Sequence, residues 1–338
     1  MNNLKSLFIF FICCVSFFVS AQQLHTPQEV VQYMEQSTVE YVIDSSVVTL
    51  DSVVLPMVEK GYFLEKSKMG NQLQKKNFPL SKKSKKYLKK AQKAADQNDF
   101  SKTIKYYKKA LNATPNHPAI INDLASVYWT NGKMEEVVFW AKKGVELNPI
   151  DFESHARLAL AYLYLGKNKK ALEHILLAHL YNRNHPKVIK ILKKVFAKNG
   201  MNYQDYFFQP KYNIEVNDST KIIIHAHQLP WMAYARCKAL WQNDENYKKE
   251  MSQLANVSIA TIEQKECLLN ALIGYRQMKT GKENYPLLGV LGKAMRKKMV
   301  NDFIFYEIEL RQDPMMIYLV PQKKINRIIE YLTTVRVN

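Results

Sequence analysis

The sequence predicts an all-α fold, a superhelix of stacked helical hairpins followed by a mainly helical C-terminal region with one small β-hairpin. Two observations carry this reading. One register recurs every 34 residues between Ser84 and Pro186. Ala91, Ala125 and Ala159 keep it, as do Asn98, Gly132 and Gly166, then Ala110, Gly144 and Ala178, then Tyr128 and Tyr162, then Pro115 and Pro149. Independent drift would not hold small residues, turn residues and prolines in one register, and a fixed period in this range marks a stacked helical repeat. The second observation is composition. With 47% apolar residues, 10 Gly and 12 Pro in 338 residues, the chain has the make-up of a globular protein and not of a disordered one.

Each unit reads as a helix, a tight turn, a second helix and a link. In the first, Tyr87, Ala91 and Ala94 belong to the first helix, Asn98 marks the turn, and Tyr107, Ala110 and Pro115 close the second. Leu124, Ala125, Tyr128, Gly132, Gly144 and Pro149 follow in the next unit, and Leu158, Ala159, Tyr162, Gly166, Ala171 and Ala178 in the third. Small residues let paired helices approach, Gly or Asn accepts the left-handed backbone that ends a helix, and proline stops the second helix. A fourth unit begins at Pro186 with Val188, Ile189, Ile191, Leu192, Val195 and Phe196 on one face. Its second helix fails over Tyr203–Tyr212, which Pro210 breaks, so it reads as a cap on the stack.

This pattern resembles the tetratricopeptide repeat family over residues 84–200. It departs from the family preference at Lys90, Thr103 and Val137. The resemblance implies that the first helix of each unit lines a concave groove that takes a protein or peptide partner. By repeat position, the groove-facing candidates are Leu88, Gln92, Asn122, Ser126, Trp129, Arg157, Leu160 and Tyr164. Trp129 and Arg157 are the expected anchors, since aromatic and Arg side chains dominate interface energies. Packing between helices is an equal alternative for Trp129 and Tyr164. Some members of the family clamp a C-terminal carboxylate. Leu88, Asp123 and Glu153 stand where several of the clamp residues would be and only Arg157 fits, so no such clamp is expected.

The chain begins with an export signal. Lys5 is followed by the apolar run Leu7–Val19 and by the small residues Val19-Ser20-Ala21, which predicts a secretory signal peptide over 1–21 cut after Ala21. An uncleaved anchor is the alternative, and lipidation at Cys13 or Cys14 is disfavoured by the large Phe11 and Ile12 before them. The periplasm or cell envelope is the expected compartment, and export disfavours nucleic acid as a partner. Removing residues 1–21 leaves Cys237 and Cys267, for which spacing leaves both a disulfide and two buried thiols open. Residues 22–83 are expected to form an arm. In it, Thr26-Pro27-Gln28-Glu29 is a capping box that opens a helix with Val30, Val31, Met34, Val39 and Val42 on its apolar face, and Val47–Val58 is a strand or extended segment.

Charge is the next signal. Lys75 to Lys93 holds nine lysines and no acid, within a chain of formal charge +19. The leading reading is a solvated linker and lysine-rich helix face; the alternative is a patch over Lys82–Lys93 that touches envelope polyanions, and a chain this basic suits an acidic partner better than a basic one.

Residues 205–338 lack the clean period and are expected to form a separate C-terminal domain after an array spanning 84–204. Asn213–Val216 and Lys221–His227 predict a hairpin turning at Asn217-Asp218-Ser219. Helices are expected after Pro230, over Ala260–Lys279 and around Ile325–Leu332, with a short apolar segment at Met315–Val320. His225 and His227 could share a strand face with Cys237 or Cys267 as further metal ligands, but the spacing matches no tight zinc signature. There is no phosphate loop, nucleophile elbow or HExxH. No metal or other cofactor is expected, and the chain reads as an exported scaffold and not an enzyme. An enzyme or a glycan- or cell-wall-binding domain after residue 205, with the repeats as its docking arm, is the alternative.

Overall fold

The computed structural model describes residues 24–59, 64–66, 73–218, 220–253 and 258–337. The export signal expected over 1–21, with Cys13 and Cys14, lies outside the described residues, as does Ser219 of the expected turn.

In chain order the elements are α1 (Pro27–Gln36), β1 (Glu40–Asp44), β2 (Leu64–Lys66), β3 (Leu73–Lys75), α2 (Lys82–Asp96), α3 (Phe100–Ala113), α4 (Pro118–Thr130), α5 (Met134–Leu147), α6 (Phe152–Tyr164), α7 (Asn168–Tyr181) and α8 (Pro186–Lys198). Then come β4 (Asn213–Asp218), β5 (Lys221–His225), α9 (Leu229–Asn243), α10 (Glu245–Gln253), α11 (Ile259–Gln277), α12 (Pro286–Arg296), α13 (Val300–Phe303), a π-helical stretch Ile304–Glu309, α14 (Leu310–Gln312) and α15 (Gln322–Thr334). These group into two units, each built from two stretches of chain. One combines the chain up to Val48 with Lys211–Met278; the other combines Thr49–Pro210 with Lys279–Asn338.

The larger unit holds the repeats. α2–α3, α4–α5 and α6–α7 are the three helical hairpins and α8 starts a fourth. The 34-residue register is visible in the backbone itself. Asn98, Gly132, Gly166 and Gly200 all have φ between 57° and 72°, and each ends the first helix of its hairpin. The following amide reaches back across the turn in every case: Asp99 N–H to Ala94, Lys133 to Tyr128, Lys167 to Tyr162 and Met201 to Phe196, at 2.8–3.0 Å. That is the helix-ending loop with one left-handed residue, which satisfies carbonyls the helix would otherwise leave orphaned. Gly144 serves a different need. A Cβ there would meet Ser154 Oγ at 2.1 Å, so the α5–α6 approach requires a bare Cα. Ala110 and Ala178 hold the same register, fully buried. Ile120, Ile121, Leu124, Tyr128, Val137 and Trp140 fill the space around these contacts.

The same unit takes in chain that carries no repeat. Residues 45–58 form no strand. Asn182 instead holds this segment as a strand neighbour would, accepting from Val58 N–H at 3.2 Å and donating to Val58 O at 2.6 Å. The apolar segment after Pro314 is a 3₁₀ turn, Pro314–Tyr318. α15 buries Ile325, Ile328, Tyr331 and Leu332, as its period predicts.

The other unit is a three-stranded sheet with helices. Its strand order is β1-β5-β4. β4 and β5 form the expected antiparallel hairpin. β1 adds to it in parallel, with Glu40 opposite Lys221 and Asp44 opposite His225. Val42, expected on a helix, is therefore in a strand. α1 ends at Gln36, where the Ser37 backbone turns extended, and Val42 and Ile43 are β-branched residues suited to a pleated neighbour. The Thr26 capping box forms as predicted: Thr26 N–H donates to Glu29 Oε2 at 2.7 Å, and Thr26 Oγ1 accepts from Glu29 N–H. α9 packs on α11 and α1 packs on α9.

Candidate functional site

The candidate residues lie on the first helices of the hairpins. α4 touches α6 and α6 touches α8, so these helices form a row. Along the row, residues about one repeat apart meet. Arg157 Nε donates to Asn122 Oδ1 at 3.1 Å, from α6 to α4. The Trp129 and Tyr164 rings sit edge to face, 6.4 Å between centroids and 73° between planes. Neither ring is buried: Trp129 is 37% exposed and Tyr164 71%. Two large aromatic surfaces thus stand open to water, about two helical turns along the row from the half-buried Arg157.

The eight groove candidates divide by burial. Asn122 is buried, and its amide also reaches Asp151 Oδ2 at 3.4 Å. It positions Arg157 and offers little surface of its own. Ser126 donates its hydroxyl to the Asn122 carbonyl at 3.0 Å, within α4. Leu88 packs against the hairpin core and Leu160 is half-buried. Gln92 is exposed and donates to Asp96 Oδ1 at 2.8 Å. Asp151 underpins the arrangement as the N-cap of α6, accepting from Glu153 N–H, Ser154 N–H and the Ser154 hydroxyl. Burial pushes its carboxyl up despite those bonds.

The first hairpin carries a cationic face. Lys82, Lys83, Lys85, Lys86, Lys89, Lys90 and Lys93 on α2 are all exposed, as are Lys102, Lys105, Lys108 and Lys109 on α3. Lys102 pairs with Asp99 at 2.8 Å, and Lys90 lies over the Tyr106 ring. This surface can hold an acidic partner by charge.

Two polar clusters went unseen in the sequence. In the repeat unit, Arg183, Arg311, Arg336 and Glu307 are buried, and the half-buried Asp205 joins them. Asp205 Oδ1 accepts from Arg183 at 3.0 Å and from Arg311 at 2.9 Å. Its carboxyl is held down to about 2: burial alone would raise it, but the two guanidinium charges outweigh that. In the other unit, buried Glu266 accepts from the His25 backbone N–H, the Tyr247 hydroxyl and Trp241 Nε1. His25 Nδ1 lies 3.1 Å from the same carboxylate. No local signal could have found these clusters, because their members lie up to 241 residues apart.

The histidine pair weighed as a metal site does not gather ligands. His225 Nδ1 sits 2.8 Å from Asp44 Oδ2, and His227 Nδ1 donates to the Ser45 carbonyl. Among the described residues, no group of three His, Cys, Asp or Glu is placed to hold a metal ion, and no helix is long and apolar enough to cross a membrane. A cleft of about 480 Å³ lies in this unit, with Val31, Met34 and Val39 on its lining beside Glu35, Glu40, Tyr41 and Arg236. Arg236 is half-buried, and burial lowers its pKa.

Comparison with known proteins identifies part of the array. Residues 119–151 match the tetratricopeptide repeat family. No curated protein matches the chain. Among solved structures, the first tetratricopeptide domain of Spaghetti (RPAP3), bound to an HSP90 peptide, is 22% identical, with 36% of this chain and 95% of that one covered at a TM-score of 0.34. The Sgt2 domain from Aspergillus fumigatus is 21% identical, covering 37% and 83% at 0.34. A MamA double mutant is 12% identical, covering 60% and 100% at 0.35. At these identities and scores the likeness bears on neither binding nor partner. The segment spanning α4 and α5 thus carries tetratricopeptide repeat sequence, and α2–α3 and α6–α7 repeat its hairpin geometry on either side.

Proposed function

We propose that this chain is an exported adaptor that holds an extended segment of a partner protein against the row formed by α4, α6 and α8. One observation carries the reading. Trp129 and Tyr164, about one repeat apart, expose large aromatic surface on the same two helices as the Asn122–Arg157 pair, about two turns further along. Aromatic side chains and a pre-positioned guanidinium are the residue types that anchor interfaces. The acids at Asp123 and Glu153 disfavour capture of a terminal carboxylate, so an internal peptide segment is the fitting occupant. The exposed lysines of α2 and α3 supply long-range attraction for an acidic partner or an envelope polyanion. The apolar run and small-residue site at residues 7–21 support delivery to the periplasm or cell envelope.

The test is affinity capture from envelope extracts, with the full chain as bait beside a Trp129→Ala, Arg157→Ala double variant. Partners retained by the native protein and lost by a folded double variant support the groove. Equal retention by both moves the binding surface elsewhere.

A second reading, a small-ligand site in the other unit, is favoured by the cleft beside Arg236. A half-buried guanidinium on a lining that also carries Val31, Met34 and Val39 suits an organic carboxylate, with Glu35 and Glu40 on the same lining as the groups it would have to outweigh. Octanoate is a direct probe. Saturable binding that Arg236→Met abolishes supports the reading, and no saturable binding removes it.

A further inference from the structure

Cys237 on α9 and Cys267 on α11 are the free cysteines among the described residues. Both side chains are wholly buried and their sulfurs lie 3.0 Å apart. That is inside the roughly 3.5–4.0 Å at which even carbon atoms rest in contact. A shift of about 1 Å would bring the sulfurs to the ~2.05 Å of a covalent bond. We propose that Cys237 and Cys267 are the partners of a structural disulfide that staples α9 to α11.

Three features favour a staple over the other uses of a paired cysteine. A catalytic dithiol keeps one low-pKa thiolate within reach of solvent. Here neither sulfur is exposed, and burial pushes the Cys237 thiol up. The nearest carboxylate, Glu266, sits 3.8 Å from Cys237 Sγ and disfavours a thiolate further. A metal site would need more ligands, and no group of three suitable side chains gathers here among the described residues. Finally, α9 and α11 are packed together along their lengths, and the cysteines are 30 residues apart. A bond between them constrains the unfolded chain without distorting the folded one.

The chemistry balances with a low-molecular-weight disulfide as oxidant, such as oxidised glutathione. One cysteine, as thiolate, attacks a glutathione sulfur and expels a glutathione thiolate. The second cysteine thiolate then attacks the mixed disulfide and expels the other. One protein S–S bond forms and one glutathione S–S bond breaks. The two thiol protons end on two glutathione molecules, which are reduced by the two electrons the protein gives up. Because the folded site excludes solvent, the exchange takes place while α9 and α11 are still assembling. The bond is then shielded from small thiols.

Formation in the cell rests on the export reading, since such a bond forms during folding in an oxidising compartment. The experiment therefore has two arms. The full chain is refolded with a mixture of oxidised and reduced glutathione, free thiols are blocked with iodoacetamide, and peptides are mapped. The expected result is one linked peptide pair carrying Cys237 and Cys267; two carbamidomethylated cysteines at these positions would overturn the proposal. The linked protein should also lose on the order of 10 °C in the midpoint of unfolding when reductant is present during the melt. A Cys237→Ser, Cys267→Ser variant should show no such response, and a reductant-insensitive native protein would again overturn the staple. In the second arm, source cells are quenched with iodoacetamide before lysis. Linked peptides there support the pairing in its compartment. Blocked thiols there, with linkage in the refolded protein, leave the pairing intact and contradict export.

Discussion

Five imidazoles of the repeat unit and His25 of the other unit are shifted in opposite directions. In the repeat unit, His155 is buried and its pKa is pushed down to about 4, mainly by desolvation. Its Nε2–H donates to the Pro149 carbonyl at 3.1 Å, which leaves Nδ1 to accept from His174 Nδ1 at 3.0 Å. His117, His174, His179 and His185 are lowered as well, each first by burial. In the other unit, His25 is raised, first by its hydrogen bond to Glu266. A neutral imidazole suits a stack whose hairpins bury one another. A charged one suits a site closed around a single carboxylate. The pH signs follow. His155 contributes stability in full above pH 6.5, and that contribution is lost as pH falls from 6.5 to about 4. His25 contributes in full below 6.5, and its contribution is lost as pH rises through the raised folded value.

The sharpest way to break this contrast is to remove the carboxylates. Glu266→Ala leaves the His25, Tyr247 and Trp241 donors unsatisfied in a buried site and should cost about 3–5 kcal/mol in its unit. Denaturant unfolding followed by Trp fluorescence reads it, and a loss under about 1 kcal/mol would show that the cluster is not closed around Glu266. Asp205→Ala leaves Arg183 and Arg311 without their shared acceptor and should cost a similar amount, about 3–5 kcal/mol, in the repeat unit. Asp205 also fixes an acid limb. With its folded pKa at about 2, its stabilisation is present above the ordinary 3.8 and is lost as pH falls through 2. The gentler Asp205→Asn should flatten the stability profile over that window.

Smaller effects sharpen the same picture. His155→Phe should remove roughly 1–3 kcal/mol of the acid-induced loss between pH 6.5 and 4, read from thermal melts across that range. Gly144→Ala sets a Cβ against Ser154 Oγ and should cost about 1–3 kcal/mol, less whatever helix propensity returns. Trp129→Ala, at an exposed site, should change stability by less than about 1 kcal/mol. A larger loss would mean that Trp129 is packing and not presented surface.

How much was legible from the sequence follows from contact distance. Asn98, Gly132, Gly166 and Gly200 reveal the hairpins because each turn answers to its own few residues. Gly144 was readable as a close-approach site for the same reason, since its neighbour Ser154 lies 10 positions on. The pairing of Arg157 with Asn122 and of Trp129 with Tyr164 follows from the register once the repeat is known. The burial of Asn122 does not, because Asp151 and Arg157 draw its amide inward. β1 could not be paired in advance. Its partner β5 lies about 180 residues away, and two β-branched residues are too short a run to separate a strand from the apolar face of the helix before it. The Arg183–Asp205–Arg311 cluster and the His25–Glu266 site were hidden for that same reason: no periodic signal marks a charge whose partner is remote.

The most direct test of the groove is site-specific photocrosslinking in source cells. A benzophenone amino acid replaces Tyr164 on α6 in one variant and Phe139, exposed on α5, in another. The adaptor account expects a discrete adduct from position 164 that Arg157→Ala diminishes, with none from position 139. Adducts from position 139 alone, or equal adducts from both, would place the working surface away from the α4–α6–α8 row and contradict the account.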